Sequence, residues 1–221
     1  MSAGTSSAAP SSAAWELRAR PTTAEETQTL GAALGGVLRA GDLVVLTGGL
    51  GAGKTTFTQG LGSGLGVRDG IISPTFVLVR IHPNVPSGVR PGGPDLVHVD
   101  AYRLEGEGEI DDLDLENWAD TSVTVVEWGR GRVEHLAESW LDIELVRGPA
   151  GGPAGQAVLG SAVESDPDVD FDPELADAPV DEEYDDDEPR LVVVRGFGPR
   201  WAEPPALPGA ERIPARAGGT R

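Results

Sequence analysis

The sequence predicts a single α/β domain with a mixed central sheet flanked by helices, with disordered tails and one acidic insert. Three observations support this fold class. A glycine-rich loop at 48–55 stands between an apolar strand-like segment and a helix-like segment. Other β-branched apolar segments alternate with helical patterns, which is typical of sheets with helical crossovers. At the two ends and after residue 147, Gly, Pro, Ala or acidic residues replace the apolar pattern.

Composition limits how much of the 221-residue chain can fold. An apolar fraction of 39% with 31 Gly and 18 Pro predicts that part of the chain is disordered. Fourteen acidic residues and no basic one lie between Glu164 and Glu188, and they carry most of the net charge of −19. The remaining surface has an ordinary charge, so a broad basic face for nucleic acid is not supported. The chain has no cysteine, which excludes disulfides and thiolate metal sites.

The sequence shows no membrane or export signal. The first residues lack the basic start and the apolar run of a signal peptide, and no apolar stretch approaches the length of a membrane span. We therefore expect a soluble, cytoplasmic protein with no membrane partner.

Local patterns predict the elements before the glycine loop. Residues 15–20 alternate in polarity and predict a first strand. A helix begins after Pro21, with Thr22 or Thr23 as its N-cap, and its apolar residues recur on one face as far as Leu38. Residues 42–47 are apolar and predict the buried strand that leads into the loop.

After the loop, a helix is expected to begin at about Thr55 and to end near residues 62–66, and strands and helices then follow in alternation. The β-branched run at 122–126 is the clearest strand in the sequence. The other expected elements are strands at 77–81, 96–100, 140–146 and 191–194, a short helix within 109–118, and a helix over 133–139.

These patterns define five segments of the chain. We expect one main domain that is interrupted by the insert and completed by a last strand. The segments are a disordered tail at 1–13, the main domain at 14–147, a disordered Gly/Pro-rich and acidic insert at 148–189, the final strand at 190–201 and a disordered tail at 202–221.

The glycine loop reads GGLGAGKT and matches the phosphate-loop pattern G-x-x-x-x-G-K-[ST] at each fixed position. Glycines let backbone N–H groups surround a phosphate, and the following helix N-terminus adds partial positive charge. Lys54 can reach the outer phosphates, and the Thr55 hydroxyl can hold Mg²⁺. Lys54 is also the only lysine of the chain. The motif predicts a nucleoside triphosphate site.

Two carboxylates end apolar strands, as a magnesium-dependent phosphate-loop site requires. Asp100 follows Leu96–Val99, and Glu127 follows Val123–Val126. The sequence leaves open which carboxylate binds the metal and which acts on water. The hydroxyl of Thr75 precedes another strand, and His98 is interpreted as a buried histidine of the sheet.

Four motifs in order resemble the TsaE (YjeE) family, the small ATPases of bacterial tRNA threonylcarbamoyladenosine (t6A) biosynthesis. They are GLGAGKTTF at 49–57, SPTF at 73–76, HVDAYRL at 98–104 and VEW at 126–128. The resemblance covers about residues 15–146 and the strand near 191. A phosphate loop alone is a weak signal, whereas four motifs in this order are specific.

The resemblance implies a Mg²⁺-dependent ATPase that drives turnover of the threonylcarbamoyl-transfer complex. Its partners are the two sugar-kinase-like proteins of that complex, and tRNA is met only through them. By the same resemblance, Thr55 and Glu127 would bind Mg²⁺, Asp100 and Thr75 would act in hydrolysis with Glu127 and Lys54, and Thr23 would lie beside the adenine. The implied nucleotide contacts are Thr23, Gly49, Leu50, Gly51, Ala52, Gly53, Lys54, Thr55, Thr56 and Trp128.

Two other functions remain open at this point. A small-molecule or nucleoside kinase shares the phosphate loop, but it needs an arginine-bearing lid and an acceptor pocket. A nucleotide-dependent interaction module would use ATP as a switch. A GTPase is disfavoured because Asn-Lys-x-Asp is absent and Lys54 is the sole lysine.

The insert departs from the family pattern. It interrupts the last pair of strands, where the family pattern places one further nucleotide contact.

Overall fold

A computed structural model describes residues 12–74, 77–104, 107–148 and 189–213. The secondary-structure elements come in the order that the sequence predicts for an α/β domain. They are β1 (Trp15–Ala19), α1 (Ala24–Gly35), β2 (Leu43–Thr47), α2 (Lys54–Leu65), β3 (Val79–His82), β4 (Asp95–Asp100), α3 (Glu107–Asp111), β5 (Ser122–Glu127), β6 (Trp140–Arg147), β7 (Arg190–Phe197) and β8 (Glu211–Ile213). Short 3₁₀ turns lie at Leu115–Trp118, Glu134–Leu136 and Pro199–Trp201.

The eight strands form one mixed sheet in the order β3-β4-β5-β2-β6-β7-β1-β8. The four central strands, β4, β5, β2 and β6, are parallel to one another. The strands outside them pair antiparallel. The predicted mixed sheet is thus confirmed. Parallel strands bring their carboxyl ends to one edge, where ligands of open α/β sheets bind.

Two apolar clusters cover the two faces of the sheet. On one face, Phe57 and Leu61 of α2 and Leu34 of α1 pack against the strands with no exposed surface. On the other face, Ile110 and Leu115 cover the β4–β5 side of the sheet. Helices therefore flank the sheet on both sides, and α2 is held beneath the loop that precedes it.

The α1 helix begins as its sequence predicts. Thr23 is extended at the N-cap position (φ −129°, ψ 166°), and its side chain accepts a hydrogen bond from the backbone N–H of Glu26. The Glu26 carboxylate in turn accepts from the Thr22 backbone N–H and hydroxyl. Threonine satisfies an orphan N–H of the first turn in this way, so the capping prediction is confirmed.

The prediction of a helix over 133–139 is wrong. This segment forms only one 3₁₀ turn, Glu134–Leu136. Gly131 has a left-handed backbone (φ 78°), and β6 begins already at Trp140. The turn ends because Ala137 is already extended (φ −144°, ψ 143°) and leads the chain into β6.

The C-terminal tail that was expected to be disordered from residue 202 instead continues into the sheet. Residues 202–213 are described, Leu207 is 8% exposed, and Glu211–Ile213 pairs with Glu16–Arg18 of β1. The outer edge of β1 offers unpaired backbone groups, and β8 satisfies some of them. The expected disorder of the N-terminal tail, the insert and residues 214–221 lies outside the described residues, apart from residues 12, 13, 148 and 189, and stays a prediction.

An ion-pair network ties β1, β6 and β7 together. Arg195 of β7 donates to Glu16 of β1 at 2.9 Å and to Glu144 of β6 at 3.0 Å. Arg130 forms hydrogen bonds of 2.8 and 3.0 Å with the two carboxylate oxygens of Asp142. Burial raises the pKa of Asp142, whereas hydrogen bonds from Arg195 and Arg130 hold the pKa of Glu144 low despite its burial. The network thus joins β1 and β7 to β6, and β6 pairs with β2, the strand that leads into the glycine loop.

Glycines allow α1 and α2 to pack backbone against backbone. A Cβ at Gly60 of α2 would overlap the backbone of Gln28, and a Cβ at Gly31 of α1 would overlap the carbonyl of Phe57. Side chains of ordinary size would push α2 away from α1. The position of α2 beneath the loop therefore depends on these small residues.

We expect Gly60→Ala to lower the free energy of unfolding by about 1–3 kcal/mol, because the added methyl group must displace the α1 backbone. Chemical denaturation with circular dichroism measures this change. Gly108→Ala is the matched control, since a Cβ at Gly108 of α3 meets no atom within 4 Å. Equal stability of the Gly60 variant and the wild type would contradict the proposed close packing.

Candidate functional site

The glycine loop joins β2 to α2 at the carboxyl edge of the parallel strands. Gly53, the N-cap of α2, has a left-handed backbone (φ 95°), and no side chain caps the helix. A Cβ at Gly48 would overlap the carbonyl of Leu145 in β6. The loop thus requires glycine at both positions, and the first N–H groups of α2 are available to an anion.

Lys54 is folded back onto the loop that carries it. Its ammonium group donates to the carbonyls of Gly48 and Gly49 at 2.9 and 3.0 Å and lies 4.0 Å from the ring centroid of Trp128. The residue is 6% exposed. Burial lowers the pKa of Lys54, and the carboxylates of Glu127 and Asp100 oppose that shift. The ammonium is therefore held among acceptors, at the centre of the loop.

Glu127 connects the strands to α2. Its Oε1 lies 3.3 Å from the Thr55 hydroxyl, which donates to it, and 2.9 Å from Nε2 of His98. Glu127 is 3% exposed at the end of β5. The structure thus places a carboxylate beside the hydroxyl that the phosphate-loop motif assigns to Mg²⁺.

Asp100 lies beside Glu127 in the sheet. Parallel pairing of β4 with β5 sets the two residues directly opposite each other, and Asp100 is 3% exposed. One of its oxygens accepts from the backbone N–H of Tyr102 at 2.9 Å, and the other lies 3.4 Å from the Ser73 hydroxyl. The register of two parallel strands therefore brings both predicted carboxylates to one place.

Trp128 follows Glu127 in an unusual backbone conformation. Its φ is 61°, in the left-handed region that a bulky residue rarely occupies, while its N–H donates to the carbonyl of Leu46 at 2.9 Å. This turn places the indole next to Lys54 and at 5.3 Å from the ring centroid of Tyr102. Such strain is found where the surrounding structure fixes it, often at functional sites.

The remaining predicted residues lie at different distances from this centre. Leu50 at the tip of the loop is 83% exposed, and Thr56 lies in the first turn of α2. The Thr23 hydroxyl is engaged in capping α1. Thr75 lies outside the described residues.

Part of the loop lines a cavity. Gly49, Gly51 and Ala52 belong to the loop itself, and a cavity of about 240 Å³ lies between the loop and residues 144–147 of β6.

Sequence reasoning missed Arg190. Its side chain is 7% exposed and lies against the loop, since Nε is 3.1 Å from where a Cβ of Gly53 would stand. Its backbone N–H donates to the carbonyl of Pro21, two residues before Thr23. Arg190 thereby links the start of α1 to the glycine loop. The only sequence signal is that Arg190 is the first basic residue after the acidic segment, at the start of a strand.

The oxygen donors at this site fit Mg²⁺. The hydroxyl of Thr55 and the carboxylate of Glu127 are hard ligands, and their contact shows that one cation can reach both. Among the described residues, no three His, Asp or Glu side chains gather into a metal site.

The chain matches a known protein family. The family model described as "Threonylcarbamoyl adenosine biosynthesis protein TsaE" matches residues 21–151. That range contains the glycine loop and the strands that carry Asp100 and Glu127.

In the described part of the chain, no helix has the length and apolar character to cross a bilayer.

Curated relatives carry the same name. A tRNA threonylcarbamoyladenosine biosynthesis protein TsaE of Streptomyces coelicolor is 46% identical over 174 residues, covering 78% of this chain and 92% of the relative. The TsaE of Mycobacterium tuberculosis is 48% identical over 130 residues, covering 56% and 74%. The TsaE of Bacillus subtilis is 37% identical over 132 residues, covering 60% and 78%.

A solved structure supports the fold. The crystal structure of YdiB from Bacillus subtilis aligns with a TM-score of 0.54 and 25% sequence identity, over 89% of this chain and 92% of that chain. The family model and the relatives agree with the family that the four sequence motifs indicate, and this structure agrees with the α/β fold. The chain belongs to the TsaE family of threonylcarbamoyl adenosine biosynthesis proteins.

Proposed function

We propose that the chain binds ATP with Mg²⁺ and hydrolyses it in the service of t6A biosynthesis. The observation that carries the proposal is the meeting of Lys54, Thr55 and Glu127 at the glycine loop, with Thr55 Oγ1 and Glu127 Oε1 3.3 Å apart. A lysine for phosphate, a hydroxyl for Mg²⁺ and a strand-terminal carboxylate are the parts of a phosphate-loop ATPase.

Binding of the phosphates would exchange one set of Lys54 partners for another. The ammonium now donates to the carbonyls of Gly48 and Gly49, and it would turn from them toward the outer phosphates. The exchange replaces two neutral acceptors with anionic oxygens, so that each hydrogen bond then joins two charged groups. The N–H groups at the start of α2 would hold the same phosphates.

The two carboxylates take different roles in this proposal. Glu127 contacts Thr55, so we assign Thr55 and Glu127 to Mg²⁺. A Mg²⁺ ion held by these two residues would supply positive charge against the charge that develops on the phosphoryl group. Asp100 lies on β4, the strand next to that of Glu127, and accepts a hydrogen bond from the N–H of Tyr102. We assign Asp100 to the attacking water, together with Thr75. Trp128 lines the site beside Lys54.

Family membership supports the biological setting of this reaction. We propose that the chain acts in the cytoplasm with the two sugar-kinase-like proteins of the threonylcarbamoyl-transfer complex. ATP hydrolysis would drive turnover of that complex, and tRNA would be met only through it. Leu50 and Tyr102, which are 83% and 63% exposed, stand beside the nucleotide site and could contact such a partner.

We expect Lys54→Ala to reduce ATP hydrolysis by about 100-fold or more, since one preorganised cationic donor to the transition state is lost. Hydrolysis is measured with the purified chain alone and with the two partner proteins and tRNA. Arg68→Ala removes an exposed positive charge away from the loop and should leave the rate unchanged.

Three outcomes would contradict the proposed function. Unchanged hydrolysis in Lys54→Ala would move the activity to another site. Transfer of phosphate to a small acceptor in place of water would favour a kinase. Turnover that stays low with both partners present, with ATP bound, would favour a nucleotide-dependent interaction module.

We also expect Arg190→Gln to weaken ATP binding by about 10- to 100-fold, because a charged donor beside the loop is removed. Calorimetric titration with ATP and Mg²⁺ measures this affinity, and a thermal melt checks that the variant is folded. Arg212→Gln, on the exposed edge strand β8, is the control. Equal affinities of the Arg190 variant and the wild type would exclude Arg190 from the nucleotide site.

A further inference from the structure

His98 is a buried histidine whose contact leads straight to the proposed metal site. It has no exposed surface, and its Nε2 lies 2.9 Å from Oε1 of Glu127. The parallel register of β4 and β5 pairs His98 with Val125 and Asp100 with Glu127. His98 and Asp100 therefore share one face of β4, and the imidazole reaches diagonally across to the neighbouring strand.

The surroundings of the ring determine which nitrogen carries the proton. Nδ1 of His98 is buried and has no hydrogen-bond partner in the described part of the chain. A proton on Nδ1 would stay unpaired, whereas a proton on Nε2 has the Glu127 carboxylate as its acceptor. The contact is thus an Nε2–H donating to Oε1.

A purely space-filling role does not account for this arrangement. A buried polar ring costs free energy unless it is hydrogen-bonded, and here one nitrogen stays without a partner. An aliphatic side chain could fill the same space at no such cost. What an aliphatic side chain cannot supply is the hydrogen bond to Glu127.

We infer that His98 is a positioning residue, whose Nε2–H fixes the Glu127 carboxylate in the orientation that binds Mg²⁺ together with Thr55. The inference rests on the proposed Mg²⁺–ATP function. His98 and Thr55 donate to the same oxygen of Glu127 from two different elements, β4 and α2. This restricts the terminal torsion of a side chain that is otherwise free to rotate. Partners that orient a metal ligand typically contribute 10- to 100-fold to metal affinity.

A pair of amide variants tests the inference with little change in polarity. The amide nitrogen of Gln lies near the position of Nε2, and that of Asn lies near Nδ1. His98→Gln should therefore still donate to Glu127, whereas His98→Asn should not reach it. His98→Leu removes the donor altogether. His82→Gln is the control. The ring centroids of His82 and His98 are 6.4 Å apart, and His82 makes no described contact with Glu127.

The measurement is ATP affinity by calorimetry, first with EDTA and then with increasing Mg²⁺. We expect His98→Asn and His98→Leu to need about 10- to 100-fold more Mg²⁺ for the same gain in affinity. Their affinity in EDTA should stay within about twofold of the wild type, as should the Mg²⁺ response of His98→Gln. In a Glu127→Gln background, His98→Asn should cause no further loss, since its effect passes through that carboxylate.

Each other outcome overturns the inference. Wild-type Mg²⁺ response in His98→Asn shows that Glu127 needs no donor from β4. Equal loss of affinity in EDTA and in Mg²⁺ shows a structural role alone. Additive losses with Glu127→Gln show a different route. A wild-type chain whose ATP affinity does not respond to Mg²⁺ overturns the proposed metal site as well, and the wild-type titration separates that case from the others.

Discussion

A buried carboxylate at the end of β5 is the interaction on which the site depends. Glu127 is 3% exposed, and a charge at that depth is stable only where donors or cations surround it. Thr55 supplies a donor from α2, His98 supplies another from β4, and the charge of Lys54 acts on it from the loop. Two separate elements, α2 and β4, must therefore be in place around the Glu127 carboxylate.

The site also depends on two close approaches between backbone segments, and glycines make both possible. Gly48 allows the loop to pass the carbonyl of Leu145, and Gly60 allows α2 to lie against α1. The first sets the loop beside β6, and the second sets the helix that begins at Lys54. Side chains at either position would move the loop N–H groups away from the strand ends. Packing and phosphate binding thus depend on the same small residues.

Local signals account for what the sequence could predict. The loop motif, the Thr23 cap and the acids that end two apolar strands are all readable within a few residues, and parallel strands bring such ends together. The role of His98 depends on the register between β4 and β5, which the sequence of one strand does not contain. Arg190 reaches the loop across a long acidic segment, and β8 is a three-residue edge strand without a periodic pattern. Non-local contacts were therefore the part that sequence patterns could not supply.

The most direct test is a crystal structure with a non-hydrolysable ATP analogue and Mg²⁺. The account predicts that the Lys54 ammonium leaves the carbonyls of Gly48 and Gly49 for the outer phosphates, and that Mg²⁺ lies against Thr55 and Glu127. His98 would keep its hydrogen bond to Glu127. An analogue bound away from the glycine loop, or a lysine still on its two carbonyls beside bound phosphates, would contradict the account.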